Sequence, residues 1–152
     1  MRQERRLTMQ FMIIVKSSRD CEAGERPADE VLAAIGNYTQ ELRKAGVLIE
    51  LSRLEASSKG ARIKFSGGKP LVIDGPFAET KELIGGYWII QVKSKEEAIQ
   101  WAKRVPTPSD AGEESEIEIR KFLEVEDFNP NVAIHGAPEP GLERAKTMKQ
   151  AR

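Results

Sequence analysis

Apolar residues along this chain fall in short runs whose spacing switches between the periods of strand and helix. Phe11-Met12-Ile13-Ile14-Val15 is unbroken and rich in β-branched residues, the pattern of a strand covered on both faces. Residues 17–26 are polar and predict a loop. Pro27 suits the first turn of a helix, where its missing N–H forfeits no intrahelical bond. Val31, Ile35, Tyr38 and Leu42 then recur at helical spacing, with Leu32 widening the stripe. Gly46 supplies the stop, and Val47 to Leu51 predicts a second strand. Arg62-Ile63-Lys64-Phe65 alternates polar and apolar, Gly67-Gly68 turns, and Leu71-Val72-Ile73 returns, which predicts a hairpin. Tyr87 to Val92 predicts another buried strand. Ser94, with Glu97 three residues later, is a capping box. Ala98, Trp101, Ala102 and Val105 mark the face of the helix it opens, and Pro106 and Pro108 end it. Glu116 to Arg120 alternates again and predicts the last strand.

The order is strand, helix, strand, hairpin, strand, helix, strand. This βαββαβ scaffold with an inserted hairpin predicts an α+β fold of ferredoxin-like type. Two helices cover one face of such a sheet, so the other face needs a partner or stays wet. The chain has 152 residues, which favours one domain. The expected organisation is a domain over residues 9–128, an N-terminal extension over residues 1–8 with Met9 as an alternative start, and a tail over residues 129–152. The tail is expected to be flexible because it holds Pro130, Gly136, Pro138, Pro140 and Gly141 and few large apolar residues, with a short helix from Leu142 to Lys149.

Charge narrows the partners. Lys+Arg and Asp+Glu each number 24, and residues 9–125 hold 17 bases against 19 acids. A domain with no basic surplus is a poor match for a phosphate backbone, so nucleic acid is not an expected partner. The longest wholly apolar run, Phe11 to Val15, has five residues, against roughly 20 for a membrane span. It is also too short for the apolar segment of a signal peptide. Cys21 is the only cysteine, which fits a reducing compartment. The expected location is the cytoplasm, with no membrane partner.

The stretch richest in candidate chemistry is Asp74-Gly75-Pro76-Phe77-Ala78-Glu79-Thr80-Lys81-Glu82, a strand end followed by a tight turn. An Asp before such a turn accepts backbone N–H bonds from it, and for an isolated Asp-Gly-Pro that turn-stabilising role is the favoured one. The block, with Gly85-Gly86-Tyr87 after it, closely resembles the signature of the DGPF-domain proteins of the YCII-related superfamily. Phe11 to Lys16, Glu41 to Leu48, Ser57-Ser58-Lys59-Gly60-Ala61-Arg62, Glu96-Glu97-Ala98 and Glu116 to Arg120 also resemble family positions. The resemblance spans about residues 9–128.

The resemblance implies a ferredoxin-like fold that dimerises through its sheets, as in dimeric α+β barrels. The motif's place at a strand end, where a loop can face a cavity, makes Asp74, Pro76, Phe77, Glu79 and Lys81 the ligand-binding candidates for a small organic molecule in a pocket beside Asp74, with Asp74 as the catalytic candidate. Many superfamily members carry a His–Asp pair in that pocket. Here the only histidine is His135, in the expected tail, and Glu55-Ala56 stands where close relatives can have His-Pro. The dyad therefore lacks its histidine within the domain. One tail His and one Cys do not make a zinc site, and neither glycine pair matches a nucleotide fingerprint, so no metal or cofactor is expected. Tyr38, Trp88 and Trp101 lie on apolar periodicities and predict core.

Three functions are consistent with these residues. The first is a homodimer binding a small organic molecule near Asp74. The second is an enzyme using Asp74 as acid or base, for which no reaction class is indicated. The third is a protein-interaction module, suggested by the sigma-factor neighbourhoods of genes in the resembling family.

Overall fold

A computed structural model of the chain describes residues 8–107, 114–124 and 127. The apolar run forms the middle of β1 (Met9–Lys16), and Phe11, Ile13 and Ile14 are all buried. A short helix α1 (Arg19–Glu22) follows, then α2 (Asp29–Lys44), β2 (Leu48–Arg53), β3 (Ala61–Ser66), β4 (Lys69–Asp74), β5 (Ile84–Val92), α3 (Lys95–Ala102) and β6 (Ile117–Lys121). A four-stranded sheet runs β2-β5-β1-β6, and β3 and β4 form a separate two-stranded sheet. All pairings are antiparallel. This α+β arrangement is compatible with the expected ferredoxin-like fold, with the hairpin as its insertion.

Register shows how the sheet acquires one dry face. Phe11 lies opposite Ile90 and Ile13 opposite Trp88. These four join Tyr38 and Leu42 of α2 and Ala98 of α3 in the core. Trp101 packs against it, and Tyr38 meets Trp88 edge-on at a centroid distance of 5.2 Å. The Tyr38 hydroxyl donates to the Trp101 carbonyl at 2.8 Å, and burial pushes its phenol above the ordinary range. On the opposite face, Met12 pairs with Ile89 and Ile14 with Tyr87, and Glu50, Ser52, Glu118 and Arg120 align with them from the outer strands. On that side Ile14 is buried and Met12, Tyr87 and Ile89 are half-buried.

Local signals explain most boundaries. After α2, Gly46 at φ 71° lets its own N–H reach the Arg43 carbonyl while the Val47 N–H reaches that of Leu42, a glycine-terminated cap. At α3 the Ser94 hydroxyl accepts from the Glu97 N–H at 3.1 Å, and the Glu97 carboxylate accepts from the Lys93 N–H at 2.8 Å. Gly67 and Gly68 both take positive φ between β3 and β4, as a two-residue hairpin turn requires.

Three local expectations are corrected. Residues 17–26 hold α1, which buries nothing and so has no apolar stripe to betray it; the Ser18 hydroxyl caps it by accepting from the Cys21 N–H. Pro27 lies ahead of the N-cap Ala28 and not inside the helix. The strand expected at Tyr87 begins at Ile84, since Gly85 and Gly86 carry no apolar signal. The expected tail and His135 lie outside the described residues.

Candidate functional site

The root of the hairpin is tied down by one serine. Ser57 opens a 3-10 turn (Ser57–Lys59) between β2 and β3. Its backbone N–H donates to the two Glu22 carboxylate oxygens at 3.1 and 3.3 Å. Its hydroxyl donates to Glu22 Oε2 and accepts from the Phe77 N–H at 3.0 Å. The Ser17 hydroxyl adds a longer bond to Glu22 at 3.4 Å. The bonds from Ser57, chiefly its hydroxyl, hold the Glu22 carboxyl below its ordinary value, because they favour the charged form.

Gly75 completes the joint. A Cβ at this position would lie 1.7 Å from the Ser57 carbonyl oxygen, so any larger residue must displace backbone. The Gly75 N–H donates to the Gly60 carbonyl at 3.0 Å, and the Gly75–Pro76 peptide bond is cis. The Arg62 guanidinium lies 3.9 Å from the centre of the Phe77 ring, a cation–π contact that joins β3 to the turn.

The side chains expected to bind a ligand lie around this joint with different degrees of freedom. Asp74 is the last residue of β4, paired with Ala61, and is exposed. Pro76 and Glu79 are exposed on the turn, and Phe77 is half-buried. Lys81 is exposed on a second 3-10 turn (Thr80–Glu82). Asp74 to Phe77 are thus held together by backbone, while Glu79 and Lys81 follow on the same connection to β5. Among the described residues no ion pair joins Asp74 to Lys81. Glu55, where a histidine was considered, pairs with Lys59 at the surface at 3.2 Å.

Sequence reasoning did not single out Ser17, Glu22 or Arg62 as site residues. Ser57 entered the sequence reading only as one position of the family resemblance. Glu22 sits 35 residues from Ser57, and no local pattern announces a contact of that range. A shallow groove of about 470 Å³ lies elsewhere, where Met9, Lys121, Ser94 and Lys95 bring the start of β1, the end of β6 and the start of α3 together. Among the described residues no three His, Cys, Asp or Glu side chains converge to hold a metal ion. No helix among them is long and apolar enough to cross a membrane.

Comparison with known proteins matches residues 9–123 to the model of the YCII-related domain. An uncharacterised protein of Rhizobium meliloti is 35% identical over 89 residues, which covers 59% of this chain and 68% of that relative.

Proposed function

The chain belongs to the YCII-related domain family, and from that membership we propose that it is a homodimer binding a small organic molecule at the hairpin root, around Asp74. One observation carries this reading. The backbone of the turn is fixed by Ser57, Gly60 and Glu22, while the side chains of Asp74, Pro76, Glu79 and Lys81 stay exposed. Fixing the backbone that carries Asp74 and Phe77 lowers the ordering cost that a ligand meets there. Asp74 and Lys81 supply acceptor and donor, and Phe77 supplies an apolar wall.

The dimer is of the α+β barrel type, with the open faces of two sheets turned toward each other. The apolar centre of that face, Met12, Ile14, Tyr87 and Ile89, supports this pairing. The working domain runs over residues 9–128, with residues 1–8 and 129–152 as appendages, and the lone Cys21 supports a cytoplasmic setting.

The test is a thermal-shift screen of the full chain against a panel of small organic acids, amines and alcohols, repeated with Asp74→Asn. Hits should stabilise the native protein and lose most of their shift in the variant. Equal shifts in both would remove Asp74 from the site.

A further inference from the structure

A second place on the fold sets positive charge beside an apolar floor. The groove of about 470 Å³ between the start of β1, the end of β6 and the start of α3 is lined by Met9, Phe11 and Ile119, with Lys95, Glu96 and Lys121 beside them. Register explains the mixture. Phe11 lies opposite Lys121 and Ile13 opposite Ile119, so the last residue of β6 carries its charge on the face that Phe11 and Ile13 fill with core. β6 is the outer strand of the sheet. Lys121 is exposed there and Ile119 is half-buried.

Charge and size narrow the occupant. The lining holds three bases, Lys95, Arg120 and Lys121, against one acid, Glu96. Arg120 has Glu118 at 4.0 Å, whereas among the described residues Lys95 and Lys121 take part in no ion pair. The neighbouring Glu97 carboxylate is already engaged, accepting from the Lys93 N–H at 2.8 Å. Sites for small molecules have volumes of about 300–1,000 Å³ and combine an apolar lining with a few placed polar groups. An anion with a compact apolar body matches both features.

We propose that this groove binds a small carboxylate with an apolar body, of the arylalkanoate class. The body lies on Met9, Phe11 and Ile119, and Lys95 and Lys121 hold the carboxylate from α3 and β6. Apolar contact supplies most of the affinity. The two ammonium groups select the anion over a neutral molecule of the same shape, because hydrogen bonds between charged partners are the stronger ones. The site is built from β1, β6 and α3 alone, so it does not rest on the reading of the hairpin root.

Calorimetric titration of the full chain with 4-phenylbutyrate tests it, alongside the neutral amide of the same acid. Wild type should bind the carboxylate about tenfold more tightly than the amide. The double variant Lys95→Gln, Lys121→Gln should lose about the same factor for the carboxylate and little for the amide. Both lysines are exposed, so circular dichroism should show an unchanged fold. Raising the salt concentration should weaken carboxylate binding in wild type. Asp74→Asn should bind as wild type does. Equal carboxylate affinity in wild type and the double variant overturns the proposal, as does an amide that binds as tightly as the acid. Binding lost in Asp74→Asn overturns it by moving the carboxylate to the hairpin root. A wild type that binds neither compound overturns the groove as a small-molecule site and leaves the hairpin-root reading untouched.

Discussion

At Ser57 a single hydroxyl joins Glu22, 35 residues earlier, to Phe77, 20 residues later. The Glu22 carboxylate accepts the Ser57 and Ser17 donors only when ionised to full effect, and its folded value is lowered from 4.5. A depressed carboxyl contributes stability that is complete above its unfolded value and is lost as the pH falls through the folded one. Native protein should therefore melt higher than Glu22→Gln at neutral pH, and the gap should close as the pH falls below the ordinary carboxylate value and through the lowered one. Paired melting curves across that range check it; a gap independent of pH would mean that the charge is not what holds the joint. Gly75 is constrained by space. Gly75→Ala forces the Ser57 turn aside and should cost about 1–3 kcal/mol, the usual range for overpacking. Amide exchange at Phe77 should accelerate in the same variant.

Elements of this fold hold each other through packed faces with few buried polar groups. Among the described residues one of these is Thr39 on α2, which is 4% exposed. Its hydroxyl donates to the Ile35 carbonyl at 2.7 Å and accepts from the Trp88 indole N–H at 3.2 Å. Thr39→Val keeps the shape and strands a buried donor, so it should lower the stability by about 1–3 kcal/mol, read from urea unfolding. Element by element, periodicity revealed what is amphipathic and nothing else. The stripe from Val31 to Leu42, the Ser94 capping box and the Gly67-Gly68 turn each left a local mark, because each is satisfied within a few residues. α1 left none, since it buries no side chain and exists to present Glu22 to a distant turn. Arg62 looked like one polar position of an alternating strand until the fold brought it over Phe77. The Asp74 motif was legible as a block, yet its anchor was not, because Ser57 and Glu22 are joined by the fold and not by spacing.

At the scale of the described fold, the exposed large apolar side chains gather on the hairpin, where Ile63, Phe65, Leu71, Val72 and Ile73 are all exposed. Neutral composition divides into a slightly basic hairpin and a slightly acidic remainder, with no overall basic surplus to meet a phosphate backbone. The fixed backbone and free side chains at the hairpin root make that place the site for a ligand that donates to Asp74, distinct from the carboxylate groove at the start of α3. The most direct test is a titration of isotopically labelled full-length protein with the strongest amine or alcohol hit of the thermal-shift screen, followed by amide chemical shifts. The largest changes should fall at Gly75, Phe77 and Ala78 and vanish in Asp74→Asn. Changes centred instead on Ser94, Lys95 and Lys121, and unaffected by Asp74→Asn, would contradict a site at the hairpin root.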